Sequence, residues 1–430
     1  MKYSKNDVLG FVNENDVKFI RLTFSDVFGK LKNVAIMPTE LPDAFESGIS
    51  IDSSAYTGLL NSEHYDLYLI PDPSTLSVLP WRPKSGRVVR FFCDIKHSDG
   101  TQFEGDTRNE LKKTIDKMSS EGLTCKIGSE CQFYLFERDE KGEPTKKTHD
   151  KASYLDVAPL DKGENIRREI CLTLDEMGIT PQSSRHLYGW GQNEITFKNS
   201  DVLTAADNLI HFKTVVKTIA SQNGLYASFM PKPIKEQVGS GLHINISINK
   251  NGKNIFEPDL NSSLSEEGQS FVAGILKRIN EITCFLNPLT NSYKRIGKGL
   301  SPKFINWSTN SRYTLIRIPN ADKNNYRIEV RSPDPACNPY IAFNLLLLAG
   351  LEGIKNKEKL PENEPFNQSG RLPKSLEESM KFAVTSDFIG KNLPKFISEA
   401  LFNSYTYFLS RYEVSENKDD FEREYYFHII

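Results

Sequence analysis

The chain has 430 residues, of which 26% are charged and 38% apolar, and its formal net charge is −2. That length gives room for roughly two to three domains with a real core. The near-neutral charge gives no reason to expect nucleic acid or a membrane surface as a partner, and the longest apolar run, residues 341–350, is about half of what a bilayer span needs.

The opening residues 1–7 contain no apolar segment, so no secretory leader is expected. Six cysteines (Cys93, Cys125, Cys131, Cys171, Cys284 and Cys337) are scattered without C-x-x-C pairing. In a chain this long they read as reduced, packed thiols, and the expected location is cytoplasmic.

Residues 1–97 are mostly strand-like. Residues 17–24 alternate, 26–29 turn and 33–37 resume, followed by 50–54, 66–71 and 88–94. One short helix is expected near 42–47. Together these form a small mixed sheet. Helices become frequent after Gly100. Residues 107–121 open on a capping-box pattern of Asp106, Thr107 and Glu110. Further helices are expected at 161–177, 204–222, 263–285 and 338–356, and the segment from Ser375 to Ile430 is helical. Strands carrying polar residues lie between them, at 126–136, 194–197, 243–248, 315–318 and 326–331. Strands alternating with helices argue for an α+β chain, with a boundary near 96–101 separating residues 1–100 from 101–430.

The polar strands hold the candidate chemistry. Residues two apart on a strand share a face, so Glu130 and Gln132 point the same way out of an apolar segment. That pattern suits a hydrated edge strand, and it also suits half of a metal site. Arg327, Glu329 and Arg331 share one face, with Ile328 and Val330 behind. They form either a surface salt-bridge ladder or a metal-binding glutamate between anion-clamping arginines. His243 follows a Gly-Ser-Gly turn that begins at Gly239. A lone histidine is most often structural, and such a turn is most often only a turn. Arg312 and Arg317 stand five residues apart. Each signal taken singly is weak.

Taken together and in this order, they resemble glutamine synthetases of the bacterial type I class. The resemblance is carried by FSDVFG (24–29), KNV (32–34), LPW (79–81), GQNE (191–194), LTAADN (203–208), GSGLH (239–243), YKR (293–295), LIRIP (315–319) and VRSPDP (330–335). It implies a small N-terminal β-grasp-like domain and a larger catalytic domain of antiparallel sheet with helices. It also implies ATP-dependent ligation. ATP phosphorylates a carboxylate to an acyl phosphate, which ammonia or an amine then attacks. Divalent metals, Mg²⁺ or Mn²⁺, and several arginines neutralise the transferring phosphoryl group.

By resemblance, Glu130, His243 and Glu329 match one intact metal site. Arg312 and Arg317 match phosphate-contacting positions, and Arg327 matches a nucleotide-side arginine. Arg295 and Arg331 match positions that hold the substrate's carboxylates, and Gly239 belongs to the substrate-binding turn. Asp52 matches an acid that a neighbouring subunit supplies to take a proton from ammonium. Tyr154 matches a tyrosine near the ammonium site.

The resemblance breaks at the second metal site. The family uses three glutamates there, and this chain offers Gln132, Leu187 and Glu194. Losing two charges should cost several decades of affinity, at about tenfold per 1.4 kcal/mol, so this site is expected to be weak or lost. His186 is the one neighbour that could partly substitute. Val238 replaces a family asparagine before the glycine turn. Ser301 stands nearest the place of the closing-loop glutamate. The losses fall on groups that face ammonium, the amino group of glutamate and the second metal. Groups that hold ATP, one metal and carboxylates remain.

Three functions are compatible with this pattern. The first is a ligase acting on a small carboxylate with another substrate or amine, inefficient with glutamate and ammonia. The second is a non-catalytic homologue with a nucleotide-binding or assembly role, and the third is a true glutamine synthetase. The resemblance further implies a homo-oligomer of two face-to-face hexameric rings, a dodecamer. The adenylylation segment of the longer subtype is not recognisable, so no such control is expected. The aromatic tail, residues 425–430, is expected to pack on a neighbouring subunit.

Overall fold

The computed structural model describes residues 3–57, 64–82, 86–258, 263–320, 325–362 and 370–430. Its first element is a helix, Lys5–Glu14, that the hydrophobic pattern did not reveal. A reciprocal capping box starts it: Asp7 N donates to Ser4 Oγ at 3.2 Å, and Ser4 N donates to Asp7 Oδ2 at 2.8 Å.

The first sheet contains β1 (Val17–Ser25), β2 (Leu31–Ile36), β3 (Ile49–Asp52), β4 (Asp66–Pro71), β5 (Ser77–Val78) and β6 (Arg87–Lys96), in the order β2-β1-β6-β4-β3 with β5 on β6. β1 and β6 run parallel and the other pairs are antiparallel, so the sheet is mixed as expected. Alternation on β1 sends Ile20, Leu22 and Phe24 into the core.

The second sheet is built around the long β7 (Leu123–Arg138). It adds β8 (Pro144–Thr148), β9 (Pro181–His186), β10 (Gln192–Phe197), β11 (Ser200–Asp201), β12 (Leu225–Ser228), β13 (Leu242–Lys250), β14 (Lys253–Asn254), β15 (Trp307–Ser308), β16 (Ile316–Arg317) and β17 (Ile328–Val330). The main path is β15-β16-β17-β13-β7-β10-β9, antiparallel except for β15 with β16. Helices Thr107–Ser120, Val202–Gln222, Glu266–Leu286 and Pro339–Asn356 supply much of the rest of the core. The last two cross closely because glycine meets glycine. A Cβ on Gly274 would lie 2.8 Å from Gly353 Cα.

Two side-chain clusters are prominent among the contacts that tie the first sheet to the rest. Arg108, at the start of its helix, reaches Asp207 at 2.9 Å, Asp94 at 2.9 Å and Asp72 at 3.0 Å. Asn338 caps Tyr340 N at 3.0 Å and donates to Val27 O at 3.1 Å. Gly29 (φ 81°) allows that approach, since a Cβ there would lie 2.8 Å from Asn338 Cα.

The C-terminal tail packs against its own chain. Phe427 packs edge-on to Phe136 with ring centres 4.9 Å apart, and Phe229 N donates to Ile430 O at 3.2 Å. The tail therefore closes an aromatic cluster of its own chain.

Candidate active site

Strand register builds the site. On β7 and β13, His243 pairs with Glu130; on β7 and β10, Glu194 pairs with Gln132; on β10 and β9, Arg185 pairs with Glu194. Paired residues in antiparallel strands project from the same face. One row of side chains therefore runs Arg185, Glu194, Gln132, then Glu130 and His243. This row forms one wall of a cleft of about 520 Å³.

The Glu130 end is a convergent donor set. His243 Nδ1 lies 3.2 Å from Glu130 Oε2 and 3.5 Å from Glu329 Oε1, and the three ligand atoms lie within 4.8 Å of one another. Two carboxylates and an imidazole nitrogen suit a hard divalent cation. Burial works against the charge on Glu130, but hydrogen bonds from His243 and Asn245 outweigh it and hold its carboxyl low. Glu329 is buried between Arg331 and Arg317, the latter at 2.9 Å. Arg327 donates to Asn245 Oδ1 at 3.1 Å, and Asn245 Nδ2 lies 3.2 Å from Glu130 Oε1. Arg317, Arg327 and Glu329 thus form a layer behind the cleft surface.

The other end of the row differs. Glu194 Oε2 accepts from Gln132 Nε2 at 2.9 Å, and Glu194 Oε1 lies 3.3 Å from Arg185 Nε. Gln132 Oε1 accepts from Gly241 N at 2.7 Å. Burial, then the nearby charge of Glu130, pushes the Glu194 carboxyl up. Leu187 shares the face of Arg185 at period two and lines the cleft with its alkyl chain. These donors do not fit a divalent ion.

His186 cannot fill the gap, because it lies one residue out of phase and faces away. Its Nε2 sits 2.9 Å from Asp150 Oδ1 and its Nδ1 2.7 Å from Leu187 O. Asp150, Asp161 and His186 also cluster within 4.8 Å. Their atoms are already engaged, Asp161 by Arg167 at 2.5 Å and by Gly163 N at 3.0 Å. This trio is a buried latch under the β9–β10 turn.

Arg295 enters the cleft from the short helix Ser292–Arg295. Its Nη1 donates to Ser332 O at 2.9 Å and its Nη2 to Arg331 O at 3.2 Å, and burial lowers it to about 10. The glycine turn passes directly over it. A Cβ on Gly241 would lie 2.7 Å from Arg295 Nη2, and one on Gly239 2.7 Å from Arg295 Cγ. Arg312 is exposed at the cleft, beside Tyr313. Tyr154 stacks on Tyr188 with ring centres 4.5 Å apart and planes 8° apart. Val238, Leu300 and Ser301 complete this side.

The cleft therefore brings together Glu130, Gln132, Tyr154, Glu194, Gly239, His243, Arg295, Arg312 and Arg331. Asp52 is not among them. It ends β3 in the other sheet, exposed, with Ser54 N donating to it at 2.7 Å and His64 Nδ1 at 3.0 Å. Arg185 and Tyr188 were not singled out from sequence. The signal for Arg185 was its place two residues before Leu187.

Comparison with known proteins places the chain in one family. A family model described as glutamine synthetase, catalytic domain, matches residues 104–425, and one described as glutamine synthetase, beta-Grasp domain, matches residues 16–98. The glutamine synthetase of Clostridium saccharobutylicum is 44% identical over 407 residues, covering 91% of this chain and 92% of that one. The cryoEM structure of Plasmodium falciparum glutamine synthetase superposes with a TM-score of 0.88 at 25% identity, covering 99% of both chains. A structure described as a GmaS/ADP complex gives 0.87 at 26% identity, covering 97% of this chain and 98% of that one.

Proposed function

Because the chain belongs to the glutamine synthetase family, we propose that it is an ATP-dependent ligase that activates a small carboxylate and joins it to an amine other than ammonium. The observation that carries this reading is the asymmetry of the Glu130–Glu194 row. One end keeps a complete donor set, and at the other Glu194 is engaged by Arg185 and Gln132.

The residues divide the work along that row. Glu130, His243 and Glu329 would hold a divalent ion, Mg²⁺ or Mn²⁺, which when bound neutralises phosphate charge. Arg317 and Arg331 fix the Glu329 carboxylate from both sides, so its oxygens are aimed before substrate arrives. Arg312, exposed at the cleft, supplies a positive charge to the phosphoryl end of ATP. Arg327 steadies Asn245 on the nucleotide side. Arg295 and Arg331 present buried guanidiniums to a carboxylate, and the Gly239–Gly241 turn packs directly on Arg295 and holds it in place. Leu187, Val238, Leu300 and the Tyr154–Tyr188 stack offer apolar surface in the same cleft as Tyr154, which the resemblance sets near the ammonium site. Such a wall favours an amine that carries carbon.

A second reading, an ordinary glutamine synthetase, is favoured by the 44% identity to the clostridial enzyme. Phosphate release from Mg-ATP separates the two. The expected result is slow release with glutamate and ammonium and faster release when alkyl or aryl amines replace ammonium. Ready turnover with glutamate and ammonium establishes the second reading. ATP binding with no release on any carboxylate and amine panel establishes a nucleotide-binding homologue instead. The variant Gln132→Glu, Leu187→Glu, run alongside, tests whether the missing glutamates explain a weak ammonium reaction.

A further inference from the structure

We propose that the guanidinium of Arg185 is a resident cation at the position where the family holds a second divalent ion, so that each site takes one divalent ion, at Glu130, His243 and Glu329. The inference rests on reading the cleft as a phosphoryl-transfer site, but its test needs no turnover.

The argument begins with the oxygens. Glu194 Oε1 faces Arg185 Nε at 3.3 Å, and Glu194 Oε2 accepts from Gln132 Nε2 at 2.9 Å. The one cation-binding atom of Gln132, Oε1, accepts from Gly241 N at 2.7 Å. The amide is therefore turned the wrong way for a cation, with its NH₂ toward the carboxylate. Flipping it would set Oε1 against a carboxylate and NH₂ against an N–H, replacing two attractions with two repulsions. Leu187 adds no donor. One carboxylate and one inward-turned amide oxygen remain here, against two carboxylates and an imidazole at Glu130, His243 and Glu329.

The charge comes next. Register on β9 and β10 fixes Arg185 opposite Glu194, and Ser183 Oγ accepts from Arg185 Nη2 at 2.8 Å. The Arg185 side chain is 30% exposed and lines the cleft, whereas that of Glu194 is 5% exposed. Without Arg185 a buried negative charge would face any incoming phosphate. With it, one carboxylate stands against one guanidinium and the position is neutral. A guanidinium stays protonated at all working pH values, so this charge does not depend on free metal. It acts on an anionic phosphoryl group as a positioning residue.

The first test is a Mn²⁺ titration of the full-length protein with metal alone, read by electron paramagnetic resonance. One ion per chain is expected; two of comparable affinity overturn the proposal. In the variant Gln132→Glu, Leu187→Glu, Arg185 remains to compete for the restored glutamates. Adding Arg185→Met should tighten the second ion by at least about tenfold over that variant; equal affinities overturn the proposal. The second test uses single variants at saturating Mn²⁺, with inorganic phosphate as the probe. Arg185→Met should weaken phosphate binding by about tenfold and Arg185→Lys should recover part of it. Phosphate affinity unchanged in Arg185→Met overturns the proposal even if the combined variants fail to fold.

Discussion

Arg185 and Glu194 face each other across β9 and β10, Nε to Oε1 3.3 Å, at the end of a row whose other end is His243. The pairing has a consequence for stability as well as chemistry. Removing Arg185 strands a buried carboxylate with only the Gln132 amide, and an unsatisfied buried charge costs more than the lost hydrogen bond itself. Arg185→Met should therefore cost about 1–3 kcal/mol. Adding Glu194→Gln should restore most of that, because a neutral amide needs no counter-charge. Urea midpoints of the two variants and the unmodified protein measure it. A double variant less stable than Arg185→Met alone would show that the pair is not coupled.

The latch beneath that turn titrates. Both ring nitrogens of His186 face oxygens, Asp150 Oδ1 at 2.9 Å and Leu187 O at 2.7 Å, and only a doubly protonated ring donates to both. Burial opposes the charge on His186, but the Asp150 hydrogen bond outweighs it and raises the ring above its ordinary 6.5. Burial likewise opposes the charge on Asp150, and His186 overcomes it and lowers the carboxyl below its ordinary 3.8. A raised histidine stabilises fully below its ordinary value and loses that contribution as pH rises through the raised one. A lowered aspartate stabilises above its ordinary value and loses it as pH falls through the lowered one. The gap in melting temperature between the unmodified protein and His186→Gln should be widest between about pH 4 and 6.5 and narrow as pH rises through the raised histidine value. A gap independent of pH would mean that the ring is neutral in the fold.

Much of this site was legible because strand period is a strong constraint. Alternation placed Glu130 with Gln132, and Arg327 with Glu329 and Arg331, on common faces before any pairing was known. The same period carried a sign for Arg185, two residues before Leu187, and against His186, one residue off. Pairing partners were not legible, since register depends on contacts distant in sequence. The helix Lys5–Glu14 was missed because its apolar stripe is narrow, only Val8 and Val12 being buried, although the Ser4–Asp7 capping box stands in the sequence. The strands at 315–318 and 326–331 are shorter than expected, Ile316–Arg317 and Ile328–Val330, because strand ends depend on backbone pairing that the side-chain pattern does not report. The tail could not be placed, because an aromatic segment reads alike whether it covers its own chain or another.

Arg108 is one of the ties between the two sheets. Its guanidinium is 4% exposed and contacts Asp207, Asp94 and Asp72 at 2.9–3.0 Å. Arg108→Ala leaves Asp207 with the Tyr340 hydroxyl, and Asp94 and Asp72 with Lys112, in place of a shared guanidinium, which should cost about 3–5 kcal/mol. Arg108→Lys should recover little, since one ammonium cannot reproduce a planar fork with three separate partners. Thermal unfolding measures both, and a lysine variant as stable as the unmodified protein would show that charge alone makes this tie.

Asp52 poses the assembly question. Hydrogen bonds from Ser54, then from His64, hold its carboxyl at about 2, so it is ionised at neutral pH. It stands exposed at the end of β3 and outside the cleft of its own chain. A ring in which each cleft borrows Asp52 from the next subunit gives that exposed carboxylate a partner site. Such a shared site predicts complementation. Asp52→Ala and Glu329→Gln chains should each be inactive with the substrate pair that supports ATP turnover. Co-expressed, they should assemble sites of which about one in four draws an intact residue from both neighbours. Recovery near that fraction, in a species the size of a ring by light scattering, is the expected outcome. Mixed chains that stay inactive, or a monomer in scattering, would remove Asp52 from the reaction.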